Sequence, residues 1–224
     1  MKKKSDKDPV LVDLSHTIFD GLITYKGLPA PIICDFLSRE TSRQIYQEGT
    51  EFQIAKIEMV ANTGTYMDCP FHRYEHGLDF SQIDVSEFVD IEGIAIDARN
   101  QTSIGKEYFE GYDLRNKAVI VYTDWSRHWN TESYFEGHSY LTEDAAIYLR
   151  DSGVKLVGID SLNIDSIGGK DRPVHTILLG ANILIVEHLT NLAGLPGKEF
   201  YFSAVPPKIK GMGSFPVRAY ATLQ

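Results

Sequence analysis

The sequence predicts an α/β fold in one domain built on a mixed sheet. Three observations carry this. Apolar, β-branched runs of strand length recur along the whole chain, and two segments with helix start and stop signals fall among them. No linker, low-complexity tract or fixed-period repeat divides the 224 residues. The early strand-like runs are not separated by helical spacers, so a purely parallel sheet is not expected.

Val10–Leu14 is the first short apolar run. In Ala55–Met59 the apolar Ala55, Ile57 and Met59 alternate with Lys56 and Glu58, the period of a half-buried strand. Ile91–Ile96 and Ala118–Thr123 are β-branched runs that read as buried strands. Thr142 is placed to cap a helix, with Glu143 and Asp144 in its first turn, Ala145, Tyr148 and Leu149 on one face, and Gly153 as its stop. Val154–Ile159 follows as a strand. Pro173 suits the first turn of a second helix, Pro173–Leu179, closed by Gly180. Ile183–Glu187, Phe200–Val205 and Val217–Leu223 complete the strands. Residues 9–224 therefore form the domain, behind a polar terminus (residues 1–8) expected to be disordered.

With 22 Lys+Arg against 31 Asp+Glu, a net charge of −9 disfavours a nucleic-acid partner, since phosphate binding needs basic residues on one face. Lys2–Lys4 leads into polar Ser5–Pro9 rather than the apolar stretch of a signal peptide, and no run approaches the roughly 20 apolar residues of a membrane span. Cys34 and Cys69 make neither a disulfide framework nor a CxxC. These features point to the cytoplasm. The absence of G-x-S-x-G, a P-loop and G-x-G-x-x-G removes several enzyme classes. His128, between Trp125 and Trp129, reads as packing.

Two clusters could carry chemistry. The first, Asn62-Thr63-Gly64-Thr65-Tyr66-Met67-Asp68-Cys69-Pro70-Phe71-His72, reads as a loop at a strand end. Asp68 and His72 suit metal binding or proton transfer, but composition alone favours a turn in which Asp68 bonds backbone N–H groups and His72 is a surface residue. The second places His175 near a helix start and Glu187 at a strand end, twelve residues apart. Five helical steps descend roughly 7 Å and four strand steps return roughly 13 Å, so the two side chains can end near one level. A capped helix with one surface histidine is the competing reading.

Taken together, the chain resembles the cyclase family of metal-dependent hydrolases, which includes bacterial kynurenine formamidase and isatin hydrolase. The family hallmark H-x-G-T-H-x-D-x-P-x-H stands here as Asn62-x-Gly64-Thr65-Tyr66-x-Asp68-x-Pro70-x-His72. The likeness runs from Asp13-Leu14-Ser15-His16 through Trp125–Trp129, Val157–Asp160, His175 and Val186-Glu187 to Val217–Ala219. It implies a swivelling β/β/α sandwich assembled as a homodimer or homotetramer. It also implies that Asp68 and Glu187 are bridging metal ligands, His175 a metal ligand, and His72 the proton-transfer residue. Tyr25 falls where formamidases carry the aromatic residue that stacks on the substrate.

The departure from the hallmark is specific: two metal-ligand histidines are replaced by Asn62 and Tyr66. A neutral amide oxygen and a phenol with a pKa near 10 are poor ligands at neutral pH. One set of three ligands survives, Asp68, His175 and Glu187, the makeup of a one-metal catalytic site. The expected function is hydrolysis of a small amide, formamide or cyclic amide with one divalent ion, zinc or manganese. His72 is the acid/base, and Tyr66 and Asn62 face the substrate as oxyanion donors. A non-catalytic small-molecule binder and a cyclising dehydratase or lyase are the alternatives.

Overall fold

Strand pairing follows the apolar runs. The computed structural model describes residues 9–224, so the terminus expected to be disordered lies outside the described residues. In chain order the strands are β1 (Val10–Asp13), β2 (Ile32–Leu37), β3 (Ile54–Glu58), β4 (Tyr66–Asp68), β5 (Ile91–Asp97), β6 (Ser103–Ile104) and β7 (Ala118–Tyr122). They continue as β8 (Tyr140–Leu141), β9 (Leu156–Ile159), β10 (Leu184–Glu187), β11 (Phe200–Val205), β12 (Ser214–Pro216) and β13 (Arg218–Leu223). The α-helices are α1 (Arg39–Ile45), α2 (Glu143–Asp151) and α3 (Pro173–Gly180).

Nine strands form one mixed sheet in the order β1-β13-β11-β5-β7-β9-β10-β4-β12. Its centre, β5-β7-β9-β10, is parallel, and both flanks are antiparallel. Every residue of β7, β9 and β10 is buried, as a parallel centre covered on both faces requires. One face packs Leu14, Met67, Ile120, Val186 and Phe202. The other packs Val119, Val157 and Ile185 against Ala145 and Leu149 of α2 and Val174 and Leu178 of α3. Val119 and Ile120 fall on opposite faces because successive side chains alternate along a strand.

Thr142 caps α2 as expected, its hydroxyl accepting the Ala145 N–H at 3.4 Å, and Gly153 follows the helix at φ 74°. Two expectations are corrected. The alternating run at residues 55–59 is a strand, but β3 pairs only with β2 in a separate two-stranded arm, and all five of its residues are exposed. The arm's apolar side chains stay largely exposed among the described residues: Ile32, opposite Glu58, is 54% exposed, Ile57, opposite Ile33, 56%, and Phe36 78%. The loop expected at residues 62–72 contains a buried strand, β4, hydrogen-bonded on one side to β10 and on the other to β12. Cys34 is exposed and Cys69 buried, and both are free thiols. Among the described residues no helix is long and apolar enough to cross a membrane.

Candidate active site

The site grows out of the register of three short strands. On β4, Tyr66 and Asp68 are two residues apart and share a face. Pairing sets Glu187 of β10 opposite Tyr66, and Ser214 of β12 opposite Asp68. Side chains directly opposite in an antiparallel pair lie close enough to bond. The Tyr66 hydroxyl donates to Glu187 Oε2, and the Ser214 hydroxyl donates to Asp68 Oδ1. Gly64, at φ 67° with its N–H on Thr24 Oγ1 at 2.8 Å, turns the chain into β4 through a conformation that favours glycine.

A 3-10 turn, Pro70–His72, then brings His72 back over the same strand. His72 Nδ1 lies 2.7 Å from Ser214 Oγ and 3.6 Å from Asp68 Oδ1. Gly213 is required beside it, because a Cβ there would overlap the His72 backbone. A serine hydroxyl has one proton. With that proton on the Asp68 carboxylate, Ser214 Oγ accepts from His72 Nδ1–H, which leaves the lone pair of His72 on Nε2.

His175 is oriented by a residue the sequence reading missed. Asp165 caps α3 from a distance: its Oδ1 accepts the Val174 N–H at 2.8 Å, and its Oδ2 accepts the His175 N–H at 3.0 Å. The same Oδ2 takes the His175 ring Nδ1–H at 2.6 Å. His175 Nε2 is thereby presented to Asp68 Oδ2 at 3.5 Å and to Glu187 Oε1 at 3.7 Å. The His175–Glu187 approach is the one the helix-and-strand arithmetic anticipates.

These donors suit a divalent cation. Asp68 Oδ2 is buried with no hydrogen-bond partner among the described residues, an arrangement that costs free energy unless a cation sits against it. Four-coordinate ligands at about 2.0–2.2 Å lie about 3.3–3.6 Å apart, close to the two edges measured from His175 Nε2. Glu187 is buried beside Asp68, its Oε1 accepting the Ile164 N–H at 2.6 Å and its Oε2 the Tyr66 hydroxyl. Burial and the neighbouring Asp68 carboxylate raise the Glu187 pKa against the pull of His175. Burial alone would lower the His175 imidazolium, but its bond to the Asp165 carboxylate and the nearby Asp68 and Glu187 carboxylates outweigh this and lift it to about 10. Positive charge is therefore favoured at Nε2, where a proton and a metal ion compete for one position. Among the described residues, the group whose ligand atoms all lie within 4.8 Å of one another is Asp68, His72 and His175, so spacing alone gives His72 as the third donor, while Glu187 approaches through His175.

A cavity of about 890 Å³ opens above these groups, lined by Tyr25, Asn62, Tyr66, His72 and His175 among others. Tyr25 and Asn62 thus stand at the cavity wall. Tyr66 differs from its expected orientation. Burial and the adjacent carboxylates raise its pKa well above the usual phenol value, and its single proton lies on Glu187 rather than facing the cavity. Behind it, His188 and Tyr134 form a buried wall, Tyr134 Oη lying 2.7 Å from His188 Nδ1. His128 packs on Trp125 at 4.8 Å, in keeping with a packing role.

Ser214 and Asp165 carry no sequence signal beyond Gly213 before the serine, and their roles exist only once strand and loop are folded together. Comparison with known proteins agrees with the geometry. The family model Cyclase, described as "Putative cyclase", matches residues 12–166. Kynurenine formamidase of Bacillus cereus is 28% identical over 208 residues, covering 93% of this chain and 95% of that protein. A solved potential metal-dependent hydrolase with cyclase activity is 25% identical, with a TM-score of 0.80 over 97% of this chain and 99% of that one. Isatin hydrolase A from Ralstonia solanacearum shares the fold, with a TM-score of 0.80 at 22% identity over 96% of this chain and 92% of that one.

Proposed function

The chain belongs to the Cyclase family, and on that premise we propose a metal-dependent hydrolase of a small amide, formamide or cyclic amide that works with one divalent ion per chain. The observation that carries this is the buried, unpartnered Asp68 Oδ2 facing His175 Nε2 at 3.5 Å. Asp68, His175 and Glu187 would hold the ion, zinc or manganese by the oxygen and imidazole character of the set. Glu187 is preferred to His72 as third ligand because a fully buried carboxylate beside a second one needs a cation, whereas the His72 side chain is 35% exposed at the cavity. When bound, such an ion supplies a Lewis acid for the carbonyl and acidifies a water.

The chain's own residues do the rest. His72 Nε2 takes the proton of the attacking water and passes it to the leaving nitrogen. The imidazolium formed meanwhile donates through Nδ1 to Ser214, whose hydroxyl rests on the Asp68 carboxylate. Tyr66 holds Glu187 in place of a second ion, and the Asn62 amide at the cavity wall is the donor for the oxyanion, worth about 3–4 kcal/mol in such sites. Tyr25 supplies a ring face for an aromatic substrate.

Formanilide tests the reading. Zinc- or manganese-loaded protein is expected to release formate, to stop on chelation and to recover when the ion is returned. No formate release by fully loaded protein would turn the assignment toward the non-catalytic binder. The exposed apolar arm supports assembly as a homodimer or homotetramer. Sedimentation equilibrium is expected to give twice or four times the mass of one chain, and a monomer at micromolar concentration would contradict this.

A further inference from the structure

The rim of the cavity carries charge opposite to that of the chain. The molecule has 31 acidic against 22 basic residues. Yet Lys26, Arg73, Lys170 and Arg172 line this one opening, against Glu143 and Asp171. Lys26 is balanced by Glu132 at 2.8 Å. The others enter no ion pair among the described residues. Arg172 Nη1 is pinned by the main-chain carbonyls of Ser166, Gly169 and Asp171 at 3.3, 3.1 and 2.7 Å, which fix the guanidinium without neutralising it. Its charge acts on the neighbouring Tyr25 phenol. Arg73 follows His72 directly, and its Nε bonds Thr176 Oγ1 of α3 at 3.2 Å, leaving the terminal nitrogens free of ion pairs. Glu143 sits in the first turn of α2, where the helix dipole already favours its charge. With an ion to balance Asp68 and Glu187, the rim would set the sign of the field that a ligand meets.

We propose that the substrate carries a carboxylate or a similar anionic group, received at the rim by Arg172 and Arg73 with Lys170 nearby, while its ring lies on Tyr25 and its amide reaches His72. A guanidinium pair is the side-chain chemistry that binds a planar anion in two-point fashion. This deepens the hydrolase reading and rests on it.

The test compares three para-substituted formanilides on the metal-loaded protein: 4-formamidobenzoate, unsubstituted formanilide, and the 4-trimethylammonium cation. The anion is expected to be preferred over the neutral compound by about tenfold in kcat/KM, through KM, with the cation poorest. Arg73→Gln and Lys170→Gln, both at exposed positions, are expected to erase most of that preference. High salt should shrink it as well. Equal KM values for the three compounds overturn the inference and leave the hydrolase reading intact. If none is hydrolysed, that reading fails, and calorimetry with 4-aminobenzoate against aniline decides the rim separately. Tighter binding of the acid, weakened about tenfold by Arg73→Gln, supports the anion site. Equal binding of the two, or binding of the acid unchanged by both variants, overturns it.

Discussion

Asp68→Asn is expected to empty the metal site and to lower formate release by about 1000-fold or more, the largest effect of any single substitution here. Asn matches Asp in size, so the β4 pairing to β10 and β12 survives and the variant folds. What changes is the charge and the ligand atom. Oδ2, the buried oxygen with no partner facing His175, becomes half of a neutral amide, and the Ser214 hydroxyl no longer rests on a carboxylate. Mass spectrometry of the digested protein for metal, beside the formate assay and a circular dichroism spectrum, checks this. A folded variant that keeps its ion and its rate would remove Asp68 from the site.

His72→Ala is expected to lower kcat by about 100-fold or more with KM and metal content nearly unchanged. Its imidazole is partly exposed at the cavity and engages Ser214 through Nδ1, so the substitution removes a proton carrier from the wall rather than a plug from the core. Partial rescue by added imidazole would mark the loss as one of proton transfer. Loss of the ion along with the rate would instead make His72 the third ligand, in the geometry it shares with Asp68 and His175. Unchanged kcat would exclude His72 from the chemistry.

The parts of the fold legible in the sequence are those fixed by local pattern. The β7 run Ala118–Tyr122 is apolar throughout and lies in the centre of the sheet, buried on both faces. Thr142 and Pro173 announce the two helices that cover one face. The meeting of His175 with Glu187 was readable because only one helix and one turn separate them, so element lengths fix the distance. β4 was not readable: three residues, one charged and one phenolic, become a strand only because β10 and β12, distant in sequence, pair with both edges. The β3 period was legible while its burial was not, since alternation records that a face is apolar and not what covers it. Asp165 and Ser214 are invisible for the same reason, as each acquires its partner from a different part of the chain. The replacement of two histidines by Asn62 and Tyr66 was plain in the sequence. That the Tyr66 proton would lie on Glu187 follows only from the register that sets the two opposite each other.

This chain is expected to hold a single ion, because the Tyr66 phenol and the Asn62 amide stand where the family has two imidazoles. The direct measurement is metal content per chain, in protein purified without chelators and dialysed against zinc or manganese, for the parent and for the double variant Asn62→His/Tyr66→His. One ion per chain is expected in the parent, rising towards two in the double variant as two imidazoles join Asp68 and Glu187. Two tightly held ions in the parent, or none after dialysis against either metal, would contradict it.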